Sequence, residues 1–511
     1  MLQLSVSSST VLELLCTFIT ISVLTWYIYY LYCFNYWKKK RVPTIAPRFP
    51  AGNILKPIIG KENLFDAIAD YYKDFKSQGH KHAGLYFFNG PIYFPIDPEI
   101  IKNILTTDFD HFMDRGIYFD EEKFPLSGHL FSIEGSKWRN LRTKLSPTFT
   151  SGKLKTMYEI FVKMTENFVR TIEPTAQKGG EVNIKYVSAN FTADLILSTA
   201  FGLEGNTLKN PDNELAKIIT KLFDVPTWDF VKTVIVEGFQ NPGNIVRGLL
   251  NNRSNEYFFT EILKNAVKQR DESNITRKDF LSLLLEVRDR EGLNFNEILA
   301  QCFLFFLAGF ETSSQTISYC IHNLAHNQEI QERLRSEIFD NLGKDYTKYS
   351  YEDIFNLPYL DQVFNETLRL HPVLGFLNRI CVKNYTVPGT NVVIEEGTPV
   401  LIPVLGLQRD PEYFPDPLKF DPERFGKDQS QVPFTFMPFG DGPRFCIGMR
   451  YGKLQVKLGL AALLSQFKFL PSPNTPKTIQ LDKYSKSLVM TPLKGITVKV
   501  EKLQGTVRST G

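Results

Sequence analysis

Cysteine is scarce in this chain: six among 511 residues, at Cys16, Cys33, Cys302, Cys320, Cys381 and Cys446, with no paired spacing. That excludes a disulfide framework and fits a reducing compartment. An excess of charge is lacking too. The 59 Lys and Arg against 55 Asp and Glu leave +4, spread along the chain, which excludes nucleic acid as a main partner. There is no internal repeat and no low-complexity tract. A complete dinucleotide fingerprint is also missing: Gly440-x-Gly442-x-x-Phe445 lacks its third glycine, and no βαβ pattern surrounds it.

One further absence is topological. No charged residue lies between Leu14 and Trp37, enough at about 1.5 Å per helical residue to cross a bilayer of roughly 30 Å. Trp26, Tyr27, Tyr29, Tyr30, Tyr32, Tyr36 and Trp37 crowd its second half like an interfacial belt, and Lys38-Lys39-Lys40-Arg41 follow. A cleaved signal peptide would need a basic start and a small-residue cleavage site, so a retained anchor with its basic end cytosolic is expected. Pro43, Pro47 and Pro50 then stiffen a short link. The division reads as anchor 1–37, basic and proline-rich hinge 38–50, one catalytic unit 51–503, and a polar, disordered tail 504–511.

Length alone allows three domains, but the patterning favours one. Apolar residues at three- and four-residue spacing predict helices over 152–172, 294–323, 326–341 and 359–370. Val/Ile-rich pieces at 391–395 and 495–500 predict strands, all after Arg379. The fold class is mainly α with a small β region. Aromatic content of 13%, with 42 phenylalanines, promises a bulky apolar interior with room for an apolar ligand.

The site signals begin with Phe439-Gly440-Asp441-Gly442-Pro443-Arg444-Phe445-Cys446-Ile447-Gly448. A lone cysteine is more often a small buried hydrophobe than a ligand. On a tight Gly/Pro loop before a helix, one thiolate can instead point outward as the axial ligand of haem iron. Phe439 would cover the sulfur, and Arg444 would meet a haem propionate. Far upstream, Phe303-Leu304-Phe305-Phe306-Leu307-Ala308-Gly309-Phe310-Glu311-Thr312 is apolar nearly all round, then turns polar in mid-helix. Ala308-Gly309 would let a flat group lie against the backbone. Thr312 would bond back to a carbonyl one turn earlier and open a groove, and Glu311 would hold or relay a proton. Glu366 and Arg369 share a helix face, with Arg424 expected to complete a structural network that braces the Cys446 loop.

Together these residues resemble the cytochrome P-450 haem-thiolate monooxygenases over essentially the whole chain. The match includes Trp138-Arg139-Asn140-Leu141-Arg142. The stretches 145–153 and 372–381 look most like insect members of the microsomal clan that also holds vertebrate drug-metabolising enzymes. The resemblance implies a helical triangular prism with a small β region, and haem b (iron protoporphyrin IX). It places Trp138, Arg142, Arg444, Arg379 and Arg115 beside the propionates. It implies electrons from NADPH through a separate flavoprotein reductase, with cytochrome b5 as an optional second donor, because the chain has no flavin or nicotinamide motif of its own. The expected substrates are O2 and an apolar small molecule. The setting is the endoplasmic reticulum membrane, single-pass, with the catalytic unit on the cytosolic face.

By family position, the loop 112–130, Leu304 to Ala308, Val373 to Leu377 and the Ser487-Leu488 turn would face the distal side. Val225 to Phe239 would dip into the bilayer or cover the pocket. Lys453 and Lys457 are candidates to steer an acidic reductase. Three functions stay open: a detoxifying monooxygenase of broad specificity, a biosynthetic hydroxylase for a steroid, terpenoid or fatty-acid hormone, and a non-catalytic haem-binding sensor or sequestering protein.

Overall fold

The computed structural model describes residues 8–210, 213, 215–217, 254–273, 277–483 and 489–503. The expected entrance segment 225–239, the 487–488 turn and the tail from Gln504 lie outside them.

The first described element is an apolar helix, Ser8–Cys33, which overlaps a stretch from Leu12 to Lys39 long and apolar enough to cross a membrane. Its side chains Leu12, Phe18, Ile21 and Ile28 are exposed, with no protein to bury them. The end of the stretch behaves differently. Tyr30, Phe34 and Trp37 are buried in the protein core. Trp37 Nε1 donates to the Leu85 carbonyl at 3.0 Å, and its backbone N–H donates to Tyr86 Oη at 3.0 Å. A Cβ on Gly84 would stand 2.3 Å from the indole, so a glycine is required there. The aromatic belt therefore divides: Trp26, Tyr27, Tyr29 and Tyr32 stay exposed, while Tyr30 and Trp37 are core residues. Composition could not separate them, because an aromatic beside a basic run suits either place.

Trp37 docks on a four-stranded sheet of order β1-β2-β7-β4, formed by β1 (His82–Phe87), β2 (Gly90–Pro95), β4 (Leu377–Ile380) and β7 (Pro399–Ile402). The β1–β2 hairpin was not expected from the sequence. Its strands are buried on both faces, so no alternation marks them. A second sheet joins β3 (Glu181–Asn183), β9 (Thr497–Lys502) and β8 (Phe467–Leu470). The 391–395 piece shrinks to the two-residue pair of β5 (Tyr385–Thr386) with β6 (Val393–Ile394).

The rest is helical, as the patterning required. The central element is Phe295–His326, started by a capping box in which Asn294 and Glu297 satisfy each other's backbone N–H. It packs on Ile184–Ile196 and on Met449–Gln466. The close approach to Ile184–Ile196 explains Gly309: a Cβ there would meet Ile196 Cδ1 at 2.6 Å. The glycine expected to cradle a flat ligand thus also admits a neighbouring helix, while Ala308 is the more exposed of the pair. The expected helix over 152–172 divides at Met157 into Ser151–Thr156 and Tyr158–Gln177. The helices expected at 326–341 and 359–370 are Gln328–Leu342 and Pro358–Leu370.

Candidate active site

Cys446 is presented by a loop that only this spacing of glycines permits. Gly440 and Gly442 take φ of +70° and +68°, and a Cβ on Gly442 would lie 1.8 Å from the Leu105 carbonyl oxygen. The Gly440 N–H donates to Met437 O at 3.0 Å, the Phe445 N–H to Gly442 O at 3.0 Å, and the Cys446 N–H to Phe439 O at 2.9 Å. The loop feeds directly into Met449–Gln466. Cys446 is surrounded by protein yet exposed, because it faces a cavity of about 560 Å³. Burial pushes its thiol pKa up, while the Gly448 N–H, Arg142 and Arg115 pull it down. A bound metal would remove that proton outright.

The cavity wall collects the residues the sequence singled out. Trp138, Arg142, Arg115, Arg379, Arg444 and Phe439 line it together with Ala308, Gly309, Glu311 and Thr312. Arg379, on β4, is held below the usual guanidinium range, to about 9, by burial and by Arg444. Arg115 is held well below its ordinary value by burial and by Arg379 and Arg444. Arg379 Nε is buried with no hydrogen-bond partner among the described residues. The chain supplies thin counter-charge, with Asp114 Oδ1 3.4 Å from Arg444 Nη2. A buried orphan donor among mutually repelling guanidiniums fits a group bearing carboxylates. The thiol on the same cavity and the apolar surface around it fit an iron porphyrin.

Arg444 does more than face that group. Its Nε donates to Met113 O at 2.9 Å and its Nη2 to Ile133 O at 2.9 Å, and its guanidinium lies 4.1 Å from the Trp138 ring centre. Most of its donors thus tie the cysteine loop to the 113–133 segment. Arg142 lies over the Phe445 ring at 4.8 Å.

On the central helix, Thr312 Oγ1 donates to the Ala308 carbonyl at 2.6 Å, the back-bond its sequence context predicted. Glu311 is buried and stands 4.0 Å from Lys185 Nζ. Burial draws Lys185 down to about 8, against the pull of Glu311. Sequence reasoning missed Lys185, since no local pattern marks it. It also missed Ile196, Thr199 and Ala200, which complete the wall. The expected distal stretches contribute Ile117, Leu130, Leu304, Phe305, Val373 and Leu377.

Glu366, Arg369 and Arg424 lie off the cavity and form the expected network. Arg369 bonds both Glu366 oxygens at 2.6 and 2.8 Å, and Arg424 Nε stands 3.6 Å from Glu366. One surface expectation fails. Lys457 is 1% exposed and pairs with Asp361 at 2.7 Å, so it offers nothing to a docking partner. Lys453 is partly covered, 3.8 Å from the same carboxylate.

Comparison with known proteins places this architecture. Residues 47–500 match the family model described as Cytochrome P450. Cytochrome P450 6a2 of Drosophila melanogaster is 38% identical over 503 residues, covering 95% of this chain and 98% of that protein. Cytochrome P450 6A1 of Musca domestica is 38% identical over 490 residues, 93% and 95% of the two chains. A probable cytochrome P450 6a23 of Drosophila melanogaster is 40% identical over 480 residues, 92% and 95%.

Proposed function

This chain belongs to the cytochrome P450 family, close to insect microsomal members, and from that premise we propose that it is a detoxifying monooxygenase acting on apolar xenobiotics. The family's chemistry is monooxygenation at haem b. The observation that carries the proposed site is the convergence on one cavity of Cys446, the arginines and the Ala308-to-Thr312 groove. Bound there, the haem supplies oxygen activation, which an electron-rich thiolate bond favours.

The chain's own residues do the rest. Cys446 holds the iron; Arg115, Arg142, Arg379 and Arg444, with Trp138, hold the carboxylates. Phe439 shields the sulfur. Leu304, Phe305, Val373 and Leu377 exclude water from an apolar substrate and hold it by burial. Thr312, bonded back to Ala308, orients the distal groove. Glu311, with Lys185 beside it, holds and passes protons. Glu366, Arg369 and Arg424 hold the frame.

Electrons come from NADPH through a separate flavoprotein reductase, with cytochrome b5 as an optional donor. The segment ahead of Tyr30 spans the endoplasmic reticulum membrane, and the catalytic unit, about 51–503, lies on its cytosolic face. An apolar cavity in a chain that carries a membrane-spanning helix supports lipophilic substrates; it does not distinguish toxins from hormone precursors. The test is turnover by the full chain with reductase and NADPH on unrelated plant toxins and on steroid, terpenoid and fatty-acid precursors. Oxidation of several toxins supports the proposal. Turnover confined to one precursor moves the function to biosynthesis, and no NADPH-dependent product leaves a binding protein.

A further inference from the structure

The joint between the spanning helix and the catalytic unit is fastened on three sides. Tyr86 Oη sits at its centre: it accepts from the Trp37 N–H at 3.0 Å and donates to the Phe34 carbonyl at 2.9 Å. With the indole N–H on Leu85 O, the end of the apolar stretch is bonded to β1. On a second side, Tyr36 Oη donates to Glu395 at 2.9 Å, and Lys40 Nζ donates to Glu395 at 2.9 Å and to Val393 O at 3.0 Å. On the third, the Phe49 ring meets Trp26, Tyr27 and Tyr30 edge to face, with centroids 5.0, 5.4 and 5.0 Å away.

No slack lies between these ties. The Phe34 N–H donates to Tyr30 O, the Asn35 N–H to Tyr32 O and the Lys39 N–H to Asn35 O, so the helical ladder runs on past Cys33 to the docked turn. Downstream, the Val42 N–H donates to Trp37 O at 3.0 Å. Pro43 O accepts from the Gly84 N–H at 2.8 Å, which lays the proline segment along β1. Burying an indole removes about 150–250 Å² from solvent, enough to hold the undocked joint to about one molecule in a thousand.

We propose that this joint is a clamp, which makes the anchor and the catalytic unit one rigid piece that meets the bilayer by a single face. That face is the collar around the helix: Tyr29, Tyr32, Lys38, Lys39, Arg41 and Arg48, all exposed. Its aromatics suit the membrane interface, and its cations suit anionic headgroups. A flexible hinge over 38–50 would instead let many faces of the unit reach the lipid. The proposal rests on the reading of the helix ahead of Tyr30 as membrane-spanning.

The test measures distances within the full chain in vesicles of phosphatidylcholine and phosphatidylserine. Cys16 and Cys33 are replaced by serine. Phe18→Cys on the anchor is then spin-labelled together with Lys81→Cys or Leu418→Cys, two exposed positions on the unit, and each pair is read by double electron–electron resonance. Both distances are expected to be narrowly distributed. Trp37→Ala should widen them at least about twofold, toward a flexible link. Phe49→Ala should widen them less, and Trp37→Phe, which keeps a ring against Gly84, should stay near the unsubstituted joint. A broad or multiple distribution with the joint unsubstituted overturns the clamp, and that outcome needs no variant to fold. A Trp37→Ala distribution as narrow as the unsubstituted one, in protein with a thiolate-type carbon monoxide spectrum, overturns it too. Extraction of the chain from the vesicles by alkaline carbonate would instead sink the membrane-spanning reading.

Discussion

Two buried arginines, Arg369 and Arg379, are satisfied in opposite ways. Arg369 is fully buried, and its guanidinium meets Glu366 through two bonds and the carbonyls of Gln408, Pro417 and Lys419 at 2.8, 2.9 and 3.3 Å. Every donor direction is answered by the chain. Arg379 is as deeply buried, but it donates from Nη1 to the Asn378 carbonyl and leaves Nε without a partner. Its other strong neighbour is a like charge, Arg444. Arg369 is complete as protein; Arg379 is complete only with an anion. Buried charge is costly unless paired, so the incompletely paired Arg379 marks the ligand and the fully paired Arg369 marks the frame.

The largest way to break this contrast is to remove what holds the ligand that Arg379 faces. Cys446→Ser is expected to abolish monooxygenase turnover and the thiolate-type carbon monoxide spectrum; retained turnover would sink the ligand assignment. Arg369→Ala comes next. It strands Glu366 and should cost about 3–5 kcal/mol, read as loss of folded protein or a collapse of the unfolding midpoint even without haem. Arg379→Leu should act with the other sign on the empty protein, holding or raising its stability. The same change should speed haem loss by about tenfold, as the loss of a charge-assisted bond predicts, measured by transfer to a scavenging globin. If Arg379→Leu destabilised the empty protein as much as Arg369→Ala, the distinction between the two arginines would fail. The smallest effect sharpens the opposite wall. Thr312→Ala should lower product formed per NADPH consumed by roughly tenfold, short of the hundredfold or more that loss of a general acid costs, because Glu311 remains.

What the sequence disclosed follows the same line. The Cys446 loop, the Ala308-to-Thr312 break and the Glu366/Arg369 pair are local strings, in which chemistry and spacing sit within one turn. They read directly. The partners across the fold did not. Nothing around Lys185 points to Glu311, and nothing around Lys457 points to Asp361, which buries a lysine expected at the surface. Trp37 reads as an interfacial anchor until Gly84, far along the chain, makes room for its ring. Gly309 lines the cavity as expected, but its second role, making room for Ile196 of a neighbouring helix, has no local signal. The β1–β2 hairpin, buried on both faces, carries no period to read.

The most direct test of the account is the ferrous–carbon monoxide difference spectrum of membranes bearing the wild-type chain, beside Cys446→Ser. A red-shifted Soret band in wild type, absent from the variant, is the predicted result and establishes Cys446 as the thiolate ligand in this cavity. An unshifted, histidine-like band from fresh, substrate-stabilised wild type, or a red-shifted band that survives the substitution, would contradict it.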